Sequence, residues 1–221
     1  MRHFGITDPK IEEYLYSLLP PVEGVLADME AHAQREGIPI IGPLAGQFVH
    51  TLALATRAED MLDVGTAIGY SAMWLALAAI RRQGRGRVVT IEKDPDRAAW
   101  AEAYFRQAGL SAVCAVRLGD AFTIMRGMEE SFDLIFLDVL TQLDDPDASL
   151  EMLDLCIRRL RDGGVLLSDN ALRSGQVLDP THASPSSRGI AAFNEAICHH
   201  PRLVTTIVPL RDGISLSVKI V

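Results

Sequence analysis

Two periodicities alternate along this chain. The first forty residues space their apolar positions by three and four, as in IEEYLYSLLPPVEGVLADMEAHAQREG (11–37), a helical pattern broken at Pro20 and Pro21. A proline-flanked connector, IPIIGP (38–43), leads to a further helical stretch, LAGQFVHTLALATRA (44–58). Short apolar runs of strand length follow: MLDVG (61–65), RVVTIE (87–92), AVCAVRL (112–118), FDLIFLD (132–138) and GGVLLSD (163–169). Between them lie the helical segments YSAMWLALAAIRRQ (70–83), DRAAWAEAYFRQAG (96–109), AFTIMRGMEE (121–130) and ASLEMLDLCIRRLR (148–161). A polar loop from Arg173 to Ser187 precedes a last helix, SRGIAAFNEAICHH (187–200). The end, RLVTTIVPLRDGISLSVKIV (202–221), reads as two strands joined at Arg211-Asp212-Gly213. Five β-α repeats and a terminal hairpin predict an α/β fold, a mostly parallel sheet with an antiparallel edge strand.

An acid stands at the carboxyl end of each of the five runs: Asp63, Glu92, Asp120, Asp138 and Asp169. An open parallel sheet places these along one rim, where doubly wound folds bind ligands. Carboxylates at the ends of buried strands are costly unless paired, so the row points to a ligand with hydroxyls, a positive charge or a metal.

Length and composition narrow the setting. At 221 residues one domain is expected, 1–221, with residues 1–45 as a helical cap or dimerisation segment and 46–221 as the core. The net charge of −8 argues against broad binding to nucleic acid or anionic membranes. The three cysteines have no metal spacing and read as small buried residues in a reducing compartment. With no apolar run near ~18 residues and no basic leader, a cytoplasmic, non-membrane protein is expected. Met73 and Trp74 read as core, Trp100 as packing, and His199-His200 as cations suited to a helix end.

The turn Gly65-Thr66-Ala67-Ile68-Gly69 joins the first strand to its helix. Gly65 permits a sharp turn and Gly69 a tight helix start. The spacing G-x-x-x-G differs from the G-x-G-x-x-G of dinucleotide binders and argues against a nicotinamide dehydrogenase. Asp63 is placed for an ammonium group, directly or through water, and Glu92 for two ribose hydroxyls. Asp138, Asp169 and Asn170 offer two carboxylates and an amide oxygen, a set that suits a hard cation: Mg²⁺, Mn²⁺ or Ca²⁺. The competing reading makes Asp169-Asn170 the start of a loop and Asp138 a partner for a nearby amide.

DVGTAIGYS, TIEKD, GDA, FDLIFLD, GGVLLSDN and DGISL, in this order, resemble the cation-dependent O-methyltransferases of the catechol and caffeoyl-CoA type. The resemblance runs from about Ile38 to the C-terminus. It implies a Rossmann-like class I methyltransferase with a seven-stranded sheet whose C-terminal strand is antiparallel. It implies an S-adenosylmethionine site at Ile41, Asp63, Gly65, Thr66, Gly69, Tyr70, Ser71, Glu92, Asp120, Ala121 and Asp138. It assigns the metal to Asp138, Asp169 and Asn170, with Asp138 also catalytic, and it implies a homodimer. The family's usual glutamate is Asp63 here, a shorter acid. Thr141 stands where the family often carries a lysine base, and no other lysine is near in sequence. Asp144, Asp145 and His182 are the alternative bases. Arg173 replaces a tryptophan of the substrate wall, either pairing with an acidic substrate or pointing into water.

The reading is an S-adenosylmethionine- and metal-dependent O-methyltransferase acting on a small hydroxylated aromatic. Its rivals are a methyltransferase of hydroxylated uridine in tRNA and a protein that binds the cofactor without catalysis. The loop from Arg173 to Ser187 is either a cover for the substrate or a surface insertion.

Overall fold

The computed structural model describes residues 6–81, 86–179 and 184–221. Three helices precede the sheet. Helix α1 (Pro9–Ser17) starts at Asp8, whose carboxylate accepts the Lys10 amide, and α2 (Val25–Glu36) ends at a left-handed Gly37. Pro20 and Pro21 fall between them, as residues without an amide donor should. Helix α3 is Gly42–Ala55. The rest runs β1 (Asp60–Val64), α4 (Tyr70–Arg81), β2 (Arg87–Glu92), α5 (Pro95–Gln107), β3 (Cys114–Leu118), α6 (Ala121–Gly127) and β4 (Phe132–Leu137). It ends α7 (Pro146–Arg159), β5 (Leu160–Ser168), α8 (Pro185–His199), β6 (Leu203–Val208) and β7 (Ile214–Lys219).

The seven strands form one sheet in the order β3-β2-β1-β4-β5-β7-β6. Pairings among β1 to β5 are parallel, and β7 is antiparallel to both β5 and β6. Strand order reverses between β1 and β4, which opens a crevice at their carboxyl ends. Successive side chains point to opposite faces, so each strand feeds two cores. Met61, Val88, Leu134 and Leu167 pack with Met29, Val49, Ala76 and Phe105 from the helices of one face. Leu62, Val89, Ile135 and Leu166 pack with Met152, Ile157 and Phe193 on the other. Met73 and Trp74 lie in the first of these cores.

The rim opposite the acids is tied by charge. Asp133 accepts the Glu59 and Asp60 amides at 3.0 and 2.9 Å. Arg161 bridges Asp133 at 2.7 Å and Asp60 at 2.6 Å. The starts of β1, β4 and β5 are thereby fixed relative to one another.

Four expectations are corrected. The antiparallel strand is not at an edge: β7 lies between β5 and β6, and its mostly buried positions suit a strand flanked on both sides. Helix α7 stops at Arg159, and Leu160 and Arg161 join β5, where Leu160 pairs with Phe132. Cys114 and Cys156 are buried, but Cys198 is exposed on α8. The polar loop is not without structure, since Arg173–Leu178 forms 3-10 turns; His182 lies outside the described residues. Among the described residues no helix is long and apolar enough to cross a membrane.

Gly46 lets α3 approach α4. A Cβ there would lie 2.1 Å from Trp74 Nε1. Gly46→Ala should therefore cost about 1–3 kcal/mol, as overpacking does in a filled core. Urea unfolding checks this, and an unchanged midpoint would contradict the packing.

Candidate active site

The crevice is built by backbone bonds that carry the pairing one residue beyond the strands. The Asp138 amide donates to the Val64 carbonyl at 2.8 Å, Asp169 to Leu137 at 2.9 Å, and Gly119 to Glu92 at 2.7 Å. Gly65, with φ of 106°, passes so close to β4 that a Cβ would lie 2.7 Å from the Asp138 carbonyl oxygen. Only glycine fits that approach. Glu92 is held firmly: Oε2 accepts the Ala67 amide at 2.8 Å, and Oε1 accepts the Lys93 and Asp94 amides at 2.9 Å. Asp120 is exposed at the start of α6, and its Oδ1 accepts the Thr123 amide and hydroxyl at 2.9 Å. The Thr123 amide keeps the Asp120 carboxyl below its ordinary range. Ala121 opens that helix, and Ile41 is buried at the start of α3.

Four other predicted residues bond to partners within the protein. The Asp63 side chain is fully buried under the turn. Its Oδ2 accepts Thr90 Oγ1 at 2.6 Å, Ser71 also bonds to it, and Oδ1 has no partner. The Thr66 hydroxyl bonds to Thr90. The Tyr70 hydroxyl donates to Glu30 Oε1 at 2.5 Å, and burial raises its pKa. Asp63, Thr66, Ser71 and Tyr70 thus brace the turn and the helix behind it. Trp100 packs edge-on to His32, with centroids 4.9 Å apart.

Asp138 follows β4 and Asp169 follows β5, close enough for the Asp169 charge to act on Asp138, and Asn170 comes next in the chain. Asp138 is half-buried, yet the atoms crowding its carboxylate raise its pKa well above the ordinary value, and Asp169 and Asp63 push the same way. Asp169 is buried and also raised, with Arg211 opposing. Asp169 Oδ1 is buried without a hydrogen-bond partner. Asn170 adopts φ of 63°, and its Nδ2 donates to Asp212 Oδ2 at 3.3 Å, which turns the amide oxygen away from Asp212. Among the described residues no three His, Cys, Asp or Glu side chains form a metal cluster; the set here is two carboxylates and an amide. That set and the orphan Asp169 oxygen fit a hard divalent cation, which takes oxygen ligands and keeps waters.

Several residues of this rim escaped the sequence reading. Arg211 places Nη1 3.9 Å from Asp169 Oδ2 and donates from Nη2 to the Ile40 carbonyl at 3.4 Å. It also bonds to the Tyr16 hydroxyl from α1. Buried Asp212 accepts the Ser174 amide at 2.5 Å and so anchors the loop beyond Asn170. The DGISL motif marked this turn as a place of interest, but nothing local told which way its side chains face. Lys93, distant from Thr141 in sequence, reaches the neighbouring residue in space: its Nζ donates to Gln142 Oε1 at 3.0 Å. Arg173 is half-buried rather than in water, and its Nη2 donates to Ser186 Oγ at 3.3 Å. Asp144 and Asp145 are exposed, and Asp145 caps α7. Cavities of about 290 Å³ beside Asp133 and Arg161, and about 420 Å³ between α3 and α4 at His50 and Trp74, lie away from this rim. The ligand chemistry assembled at the acids makes the open crevice, and not those cavities, the candidate site.

The buried acids make the ligand-free fold sensitive to pH. Burial pushes Asp63 from 3.8 to about 7. Between those values the folded chain keeps a proton that the unfolded chain has lost, so stability falls as pH rises through that window. Each unit of displacement is worth about 1.4 kcal/mol. Asp63→Asn removes this contribution. Thermal unfolding at pH values on either side should show a smaller loss in the variant than in the parent; equal losses would place the burden on other groups.

Comparison with known proteins bears on the same crevice. A family model described as O-methyltransferase matches residues 24–220. A catechol O-methyltransferase of Niastella koreensis is 30% identical over 219 residues, covering 94% of this chain and 96% of its own. A catechol O-methyltransferase of Mycobacterium tuberculosis is 31% identical over 206 residues, 90% of this chain and 88% of its own. The O-methyltransferase of Bacillus cereus, solved with S-adenosylhomocysteine, superimposes with a TM-score of 0.81 at 28% identity, over 95% of this chain and 97% of that one. An O-methyltransferase of Streptomyces achromogenes, solved with S-adenosylmethionine, gives 0.83 at 26% identity, over 96% of both chains. With that match along nearly its whole length, and with the glycine turn and acidic rim in place, this chain belongs to the O-methyltransferase family and is an S-adenosylmethionine-dependent enzyme of the catechol and caffeoyl-CoA type.

Proposed function

We propose that the protein transfers the methyl group of S-adenosylmethionine to one hydroxyl of a small aromatic vicinal diol, with a divalent cation, Mg²⁺ foremost, at Asp138, Asp169 and Asn170. The observation that carries this reading is the oxygen-only set beside the glycine turn, with Asp169 Oδ1 buried and unpartnered. A buried carboxylate oxygen without a donor is costly, and a cation removes that cost. In this reading Glu92 accepts the ribose hydroxyls from a position that three backbone amides hold. Gly65 lets the cofactor approach the backbone, and Asp138 serves both cofactor and cation. Asp63, Ser71 and Thr66 keep the turn in shape. Ile41 and Ala121 close the two ends of the cofactor cleft.

The chemistry is a single displacement. The substrate oxygen attacks the methyl carbon, the carbon–sulfur bond breaks with sulfur keeping its electron pair, and the hydroxyl proton leaves to water. A divalent cation held by Asp138, Asp169 and Asn170 would lower the pKa of a substrate hydroxyl and offset the charge of the oxyanion. Thr141 cannot serve as a base, because an alcohol does not take up a proton at neutral pH. The carboxylates align the diol so that one oxygen faces the methyl group, and alignment removes much of the entropic barrier.

Labelled S-adenosylmethionine and a panel of catechols, with Mg²⁺ and with chelator, test the reaction. Transfer should vanish on chelation and return with Mg²⁺; transfer that persists in chelator would sink the metal reading. Asp169→Ala should lower turnover by more than the roughly 10–100-fold lost with a supporting residue at a metal site. Calorimetry should find cofactor binding largely retained in that variant, because Asp169 lies beyond the cofactor cleft.

A further inference from the structure

Asp212 is a buried carboxylate that the proposed chemistry leaves without a task, and it touches one of the three cation ligands. It lies in the turn between β6 and β7 and is only 2% exposed. That turn is bound to the loop after β5. The Ala171 amide donates to the Gly213 carbonyl at 3.0 Å, and the Leu172 amide to the Asp212 carbonyl at 2.8 Å. A Cβ on Gly213 would lie 2.5 Å from Leu172, so the two segments are in close contact. The Asp212 carboxylate adds a bond on each oxygen. Its Oδ1 accepts the Ser174 amide at 2.5 Å, and its Oδ2 accepts Asn170 Nδ2 at 3.3 Å. The loop that donates these bonds is strained: Asn170, Arg173 and Ser174 have φ of 63°, 47° and 52°. Side chains with a Cβ rarely adopt that region, and such strain persists only where the surroundings hold it. Asp212 holds this loop at Asn170 and again at Ser174.

We propose that Asp212 is a positioning residue for the cation: by holding the Asn170 nitrogen, it commits the Asn170 oxygen to the metal. The inference rests on the reading of Asp138, Asp169 and Asn170 as the cation's ligands. An asparagine amide carries an oxygen on one side and a nitrogen on the other, and only the oxygen suits a hard cation. An ionised carboxylate accepts and cannot donate, so it selects the nitrogen and turns the oxygen away from itself. An amide without such a partner is free to present either side.

Calorimetry of Mn²⁺ binding to the protein loaded with S-adenosylhomocysteine tests this without turnover. Asp212→Asn keeps the shape of the side chain and can still accept the Ser174 amide. Its own amide nitrogen then faces Asn170 and favours the flipped amide there. Mn²⁺ affinity should fall roughly 10–100-fold, the usual loss when a residue that orients a metal ligand is changed. S-adenosylhomocysteine should bind that variant as it binds the parent. Asn170→Gly suits the left-handed backbone and removes the amide, so it should lose at least as much Mn²⁺ affinity. Adding Asp212→Asn to Asn170→Gly should then cost nothing further, because a residue that acts through the amide has nothing left to act on. Three results overturn the inference. Asp212→Asn may bind Mn²⁺ like the parent, in which case the reading of the cation site still stands. The double variant may lose the product of the two single losses, which would give Asp212 an effect of its own charge. Asp212→Asn may lose both ligands, which would make Asp212 a residue of the fold. If the parent itself binds no Mn²⁺, the inference and the cation reading fail together.

Discussion

Three carboxylates, Asp63, Asp138 and Asp169, stand close together where water solvates them poorly, and the design of the site follows from that constraint. Burial raises the pKa of all three, and a like charge adds to it at each: Asp169 and Asp63 at Asp138, Glu92 at Asp63, and Asp212 at Asp169. Each is handled differently. Asp63 is met by the Thr90 and Ser71 hydroxyls, which makes it a brace under the glycine turn. Asp169 faces the Arg211 guanidinium on one side and keeps an orphan oxygen on the other. Asp138 has the Asp169 and Asp63 charges against it and Arg211 in its favour. A cation is the economical remedy for the pair at β4 and β5, and the same cation is what the proposed chemistry uses.

The Asp60–Asp133–Arg161 network fixes the starts of β1, β4 and β5 at the far rim. Past the register shift early in β5, Leu137 pairs with Ser168, so Asp138 and Asp169 follow at one level, while Asp63 pairs with Phe136, two residues lower. Strand β7, inserted between β5 and β6, then delivers Arg211 and Asp212 to the rim from its amino end. An antiparallel strand is needed for this, since a parallel one would carry that turn to the opposite rim. Helix α1 meets the rim through Tyr16 and Arg211, so the N-terminal helices belong to the site's wall as well as to the core.

Much of this was legible before any coordinates. The strands and helices follow the hydrophobic period closely, and the acids stand at strand ends because a charge cannot continue a buried run. The glycine turn was legible because Gly65 has no substitute where it passes the Asp138 carbonyl. The boundary of α7 was not, because Leu160 and Arg161 continue a helical pattern and only the pairing of Leu160 with Phe132 draws them into β5. Lys93 is far from Thr141 in sequence, and the return of the chain from β2 to β4 brings it beside Gln142. Cys198 shows the same limit: its composition says buried, its place on the outer side of α8 says otherwise.

By itself, then, the sequence determined the elements, the family and the row of strand-end acids, because periodicity, turn chemistry and strand-end charges are local properties. Only the tertiary structure decided the direction of each polar group. Asp63 turns toward Thr90 of β2, Tyr70 toward Glu30 of α2, and Arg211 inward toward Asp169 and the Ile40 carbonyl. Those partners lie tens of residues away or more along the chain, and a side chain's direction is set by what surrounds it in space.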